Sequence, residues 1–209
     1  GIKERFVLRE SGILMHITSL PGPWGIGTLG KQAFAFVDFL KDAGQGNWQI
    51  LPLNPTGFGD SPYQSCSTFA GNPYLIDFGM LAEEGLLKVE ELLALHWGDE
   101  ETRVDFGCQY HNKLAVLRLA YGRFTDGEAF DRFCRENSSW LADFSLYMAL
   151  KSKFQGAPWY QWEHKLKFRE PSAIWQARQE LKDEIRFYSF VQYLFFTQWN
   201  ALHSYAREK

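Results

Sequence analysis

The sequence is poor in cysteine, has no dominant charge and contains no long apolar run. Its three cysteines, Cys66, Cys108 and Cys134, are odd in number and widely spaced. Such a set makes neither a disulfide framework nor a metal site. A reducing, cytoplasmic setting is the simple expectation. No apolar run reaches the roughly eighteen residues of a transmembrane helix, and no signal-peptide pattern opens the chain. Lys and Arg number 22 against 25 Asp and Glu, for a net charge of −3 and a pI near 6.0. That balance offers no clustered basic surface, so neither nucleic acid nor a membrane is expected as a partner. A phosphate-binding G-x-x-x-x-G-K-[ST] loop is missing, and Gly25-Ile26-Gly27 lacks the third glycine of a dinucleotide fingerprint. His16, His96, His111, His164 and His203 are scattered, with no H-x-x-x-H or C-x-x-C pair, so no metal is expected.

Aromatic residues, by contrast, are abundant: eight Trp, nine Tyr and eighteen Phe in 209 residues. That is enough for a core and for ligand contact as well. Four of them fall in the stretch LPLNPTGFGDSPYQSCSTFAGNPYLID, residues 51–77. An apolar run ends there at a proline, and a long segment of Gly, Pro, Ser, Asn and aromatics follows. Loops of that length inside a compact domain are usually functional or disordered, and the content of Phe58, Tyr63, Phe69 and Tyr74 argues against disorder.

The flanking pattern places this loop. SGILMHI (11–17) and NWQILPL (47–53) are short, continuously apolar runs, and each predicts a buried strand. Between them GKQAFAFVDFLKDAG (30–44) carries Phe36, Phe39 and Leu40 at helical spacing with Val37 alongside, and Gly44 is set to stop the helix. Strand, helix and strand of this kind make a βαβ unit of a parallel sheet. Ligands of such sheets sit at the carboxyl ends of the strands. The loops 18–28 and 54–73 both follow strands and so share that edge. After residue 77 the apolar residues recur every three or four positions, as in Leu141, Phe144, Ser145 and Met148, with Asn137 or Ser138 as N-cap. The expected organisation is α/β: residues 1–77 form the first βαβ part with its groove loop, and residues 78–209 form a mainly α-helical subdomain. Two strands cannot carry a stable sheet of their own, so the domain is expected to be incomplete.

Candidate chemistry centres on the loop. Sugars present apolar C–H faces and hydroxyl rims, and a tyrosine supplies a flat ring and a hydrogen-bonding handle together. Ser61, Tyr63, Gln64, Ser65, Asn72 and Tyr74 provide such groups, and Pro62 and Pro73 stiffen the backbone between them. On composition alone the alternative stays open that these aromatics only plug the loop down. Asp60, beside Gly59, is expected in a turn, and Asp77, ahead of FGMLAEE, as a helix N-cap. His16 is expected as a structural hydrogen-bonder at the end of a strand.

Four segments carry a resemblance: SGILMHITSLPGPWGIGTLG, WQILPLNPTGFGDSPYQSCSTFAGNPYLID, WLADFSLYMALKSKFQGAPW and FVQYLFFTQWNALHSYA. Together they resemble the 4-α-glucanotransferases, the amylomaltase or disproportionating-enzyme family, from about Arg9 to Lys209. The resemblance implies a (β/α)8 TIM barrel of the α-amylase type, of which this chain would hold the first strands and a helical insertion. It implies transfer of α-1,4-glucan segments to the 4-hydroxyl of an acceptor glucan or glucose. The mechanism would be retaining, through a covalent ester on an Asp, with a Glu acid/base and a second Asp. No cofactor is implied. The family's three carboxylates come from later barrel strands, so they are expected beyond Lys209 and no catalytic residue is assigned in this chain; its partners would be glucans and the remainder of its own polypeptide. Tyr63 of SPYQ matches the tyrosine that stacks on the sugar at the cleavage point. Ser61 and Phe58 match further substrate contacts, Asn72 a residue of the groove wall, and Ser19–Gly22 another part of it. Asn54 stands where Gly is usual, Phe58 where Tyr is frequent and Asn47 where a large apolar residue is common. The alternative is a non-catalytic glucan-binding module, since the chain itself lacks the carboxylates; a helical interaction protein is argued only by the segment after residue 78.

Overall fold

The computed structural model describes residues 10–57, 59–100 and 102–209. Strands β1 (Gly12–Leu14) and β2 (Asn47–Gln49) pair in parallel, with Ile13 opposite Trp48. Helix α1 (Lys31–Asp42) connects them. Gly44 ends α1 with a φ of +69°, a conformation that glycine adopts without steric penalty. The face of α1 turned to the core is Ala33, Val37 and Leu40; Phe36 packs edge-on against Trp48 at 4.9 Å, and Phe39 points outward, 60% exposed. Both strands are shorter and more open than the apolar runs predict. Ile13 and Leu14 are 40% and 60% exposed. Successive strand side chains alternate between the two faces of a sheet, and two three-residue strands are too few to cover both.

From residue 78 on, the described chain is mainly helical: α2 (Phe78–Glu83), α3 (Val89–Leu93), α4 (Phe106–Arg123), α5 (Glu128–Glu136), α6 (Ser138–Lys153), α7 (His164–Lys167), α8 (Pro171–Glu180) and α9 (Lys182–Glu208). The segment 171–209, helical in its spacing throughout, is two helices, broken at Leu181 where φ is −104° and ψ is 20°. Helix α9 packs on α1, α4, α5, α6 and α8. Its Phe187, Phe190, Val191, Leu194, Phe195 and Leu202 are buried at intervals of three and four. Full burial of each such side chain stabilises by about 1.5–3 kcal/mol, so packing rather than helix propensity holds α9 in place. One cluster joins Ile17, Leu29, Leu75, Phe78 and Leu117 to these residues. A smaller one seats Trp162 and Leu166 on Leu146 and Leu150 of α6.

Asn137 stands at the N-cap position of α6, but its side chain does not cap. Its amide donates to the Phe133 carbonyl at 2.9 Å, and its Oδ1 accepts from the Trp140 indole at 3.1 Å. Asp77 does cap, accepting from the Met80 N–H at 2.9 Å.

Candidate functional site

The chain leaves β2 and returns beside it. The Asn72 N–H donates to the Leu53 carbonyl at 2.8 Å. The Asn54 side-chain amide donates to the Ala70 carbonyl at 3.1 Å. Residues 54–71 are therefore a closed loop with a narrow neck at the carboxyl end of β2. The Asn54 side chain is one of the ties that close it.

Local bonds shape the loop. Asp60 sits in a turn as expected, at φ +52°, with its N–H on the Gly57 carbonyl at 3.2 Å and its carboxylate taking the Thr56 hydroxyl at 3.4 Å. The Gly57 N–H reaches across to the Gln64 carbonyl at 3.1 Å. Further on, the Ser67 hydroxyl oxygen accepts from the Phe69 N–H at 3.2 Å and the Ala70 N–H at 3.1 Å. Short hydroxyl side chains of this kind replace backbone partners where the chain turns too tightly for a ladder.

The loop holds the expected site residues in different states. Tyr63 is 74% exposed, and its N–H donates to the Ser61 hydroxyl oxygen at 3.3 Å. Ser61 is half-buried. Asn72 is 7% exposed, and its Oδ1 accepts from the Tyr74 N–H at 2.9 Å, capping the 3₁₀ turn Pro73–Leu75. Phe58 lies outside the described residues. The Tyr74 ring packs on Phe106 at 6.2 Å, and burial, with Asp60 and Tyr110 nearby, pushes its hydroxyl up to about 12. It therefore stays a neutral donor at physiological pH. His16 corrects its expectation: its Nδ1 is buried without a hydrogen-bond partner among the described residues, and burial lowers its pKa, keeping the ring neutral. The three cysteines are free, and no group of three or more His, Cys, Asp or Glu that could hold a metal lies among the described residues.

Other residues of the site were not legible from the motifs. Phe69 lies nearly parallel to Trp140 of α6, centroids 6.3 Å apart and 18° between planes, and Trp140 in turn meets Phe196 of α9. At the neck is a shallow open depression of about 130 Å3, lined by Leu53, Asn54, Phe69, Phe196 and Trp199 among others. A larger open depression, about 350 Å3, lies along the segment Asp99 to Phe106 and includes none of the loop. Two buried glutamines of α9 grip the backbone, one at the neck and one beyond it. Gln192 accepts from the Gly71 N–H at 2.7 Å and donates to its carbonyl at 3.0 Å; Gln198 makes the same pair with Asp77, at 2.7 and 3.0 Å. The one signal for them is two amides set in the mostly apolar and aromatic FYSFVQYLFFTQW. Buried amides must find partners.

A family model described as 4-alpha-glucanotransferase matches residues 15–209. Among curated proteins, the chain is 47% identical over 204 residues to a 4-alpha-glucanotransferase of Thermus thermophilus, covering 95% of this chain and 40% of that protein. It is 46% identical over 197 residues to one from Clostridium butyricum, covering 93% and 40% respectively. Thus the chain spans about 40% of the length of these relatives. Among solved structures, an amylomaltase from Streptococcus agalactiae in complex with acarbose is 41% identical with a TM-score of 0.92, covering 96% of this chain and 41% of that one. An amylomaltase from Corynebacterium glutamicum, 20% identical at a TM-score of 0.70, shares the fold over 95% of this chain and 28% of its own.

Proposed function

We propose, since the chain belongs to the 4-alpha-glucanotransferase family, that its loop 54–71 is one wall of an α-1,4-glucan groove. The observation that carries this is Tyr63. A core aromatic would be covered, yet this ring stands 74% exposed on a loop whose neck is closed and anchored. A large exposed ring on a pre-ordered loop is a ready stacking face, because little ordering entropy remains to be lost on binding. The structural neighbour in complex with acarbose makes acarbose a natural ligand to try on this chain.

In this reading β1, α1 and β2 open a (β/α)8 barrel within residues 1–77, and residues 78–209 form a helical subdomain that buttresses the groove. The reaction is cleavage of an α-1,4 bond with retention, and transfer of the glucan to the 4-hydroxyl of another glucan or of glucose. The Asp, Glu and second Asp that carry the covalent chemistry belong to the part of such an enzyme that these 209 residues do not span. The residues present here bind and orient. Tyr63 stacks on the sugar at the cleavage point and favours its flattened, oxocarbenium-like form. Ser61 offers a hydroxyl beside it, and Phe58 a second apolar face. Asn72 holds the turn that sets Tyr74. The setting is cytoplasmic, where the three free thiols remain reduced.

The experiment is chain redistribution. Maltotriose incubated with the whole protein should give glucose and longer maltooligosaccharides with no net gain of reducing ends. A net rise of reducing ends would mark hydrolysis instead, and unchanged chain lengths would overturn the reading.

A further inference from the structure

We propose that Gln192 of α9 is a positioning residue for the glucan wall, acting through the backbone of Gly71. The inference rests on the groove reading above. A glutamine amide offers one acceptor oxygen and two donor hydrogens. Gln192 directs both functions at one residue, taking the Gly71 N–H at 2.7 Å and giving to the Gly71 carbonyl at 3.0 Å. The side chain thus pairs with the loop neck as a neighbouring strand would. It is 2% exposed, so water cannot substitute for it.

The approach is possible only because residue 71 is glycine. A Cβ there would lie 2.0 Å from Cδ1 of the Phe195 ring, against which the neck is pressed. Three ties close the neck: Asn72 to Leu53, Asn54 to Ala70, and Gly71 to Gln192. Only the last comes from outside residues 53–72, so it is the tie of the three that joins the neck to the helical body, beside the apolar contacts of Gly71 with Phe195 and of Phe69 with Trp140. Tyr63 and Ser61 sit between the two arms of that neck and inherit its position.

A second clamp supplies an internal comparison. Gln198 holds Asp77 in the same manner, six residues further along both segments. Asp77 caps α2 and accepts the Thr28 hydroxyl at 2.5 Å. Gln198 therefore secures the fold behind the loop and not the loop itself.

The test uses the whole protein with maltotriose as substrate. Gln192→Met keeps the length and apolar stem but leaves both Gly71 groups unpaired. It should lower kcat/KM by about ten- to a hundred-fold, the scale expected for small misplacement of a binding group. Hydrogen exchange across residues 54–72 should quicken in the same variant. Gln198→Met should lower the melting temperature while kcat/KM per folded molecule stays within about two-fold of native, because the group it leaves unpaired, Asp77, lies outside the loop. Gln192→Glu adds a readout that a merely structural role would not move. A neutral carboxyl both donates and accepts, matching the amide, whereas the ionised form only accepts. The ratio of its kcat/KM to that of the native enzyme should therefore rise as pH falls, and it carries the test alone should the Met variant not fold. The proposal is overturned if Gln192→Met melts lower with unchanged kcat/KM, if both Met variants lose activity equally, or if the Glu ratio is flat with pH. If the native protein does not redistribute maltotriose, the groove reading itself has failed. The clamp is then judged by exchange alone, and unchanged exchange of residues 54–72 in Gln192→Met would overturn it.

Discussion

Replacing Lys113 with Met should stabilise the protein, and by an amount that depends on pH. Lys113, on α4, is fully buried. Its Nζ has no hydrogen-bond partner among the described residues and lies 4.1 Å from the centre of the Phe78 ring. Burial lowers its pKa to about 7, against a weaker opposing pull from the Asp77 carboxylate. The unfolded chain keeps that proton up to the ordinary lysine value of 10.5. Between about 7 and 10.5 the unfolded state binds more protons than the folded one, so stability rises with pH across that window; below it the whole penalty is present. At about 1.36 kcal/mol per pH unit the interval is worth on the order of 3–5 kcal/mol. Methionine is close in length, apolar and adaptable in a core. The variant should melt higher than native by about 10 °C near neutrality, taking roughly 2–4 °C per kcal/mol for a unit of this size. The gain should fade as pH approaches 10.5. Melting curves of both proteins at a series of pH values decide it. A gain that is equal at every pH, or a loss at neutrality, would refute the reasoning.

Three further outcomes follow from the geometry. Gly71→Ala should destabilise by about 2–5 kcal/mol, combining overpacking against Phe195 with loss of the Gln192 pair; a melting temperature within error of native would count against the clamp. Asn54→Gly should remove the tie to Ala70, at about 0.5–1.5 kcal/mol for one hydrogen bond, and quicken amide exchange at the neck, whereas unchanged exchange would make that tie redundant. Asp77→Ala should cost about 1–3 kcal/mol, since it uncaps α2 and strands the Thr28 hydroxyl; a variant as stable as native would show that the cap is replaced by water.

Local patterns were readable in the sequence, and long-range partners were not. The stop of α1 at Gly44, the turn at Asp60 and the cap at Asp77 depend on residues within four positions, and each stands where its chemistry puts it. The inner face of α1 was harder. Val37 and Leu40 are buried as read and Phe36 packs on Trp48, but Phe39 points outward and Ala33 takes a core position, because the faces of α1 are allotted by what packs against them. The strands read as buried because apolar composition does not reveal whether both faces are covered. Helical spacing ran through Leu181 without marking the break between α8 and α9. The clamps were beyond reach, since Gly71 and Gln192 are 121 residues apart and nothing in either segment names the other. The site shows the same division. Tyr63 was singled out as a candidate by its motif, and it stands exposed on the loop, whereas the Phe69–Trp140 stack joins residues from segments with no common pattern.

The most direct measurement is kinetics and thermal unfolding of Tyr63→Ala in the whole protein. A ring that is 74% exposed contributes little to the fold, so its removal should leave the melting temperature almost unchanged. If it stacks on the sugar at the cleavage point and favours the transition state, kcat/KM on maltotriose should fall by roughly ten- to a thousand-fold, about 1.4–4 kcal/mol of lost stabilisation. Tyr63→Phe, which keeps the ring, should retain much more of it. Unchanged kcat/KM in a normally folded Tyr63→Ala variant would contradict the placement of this loop in a glucan groove.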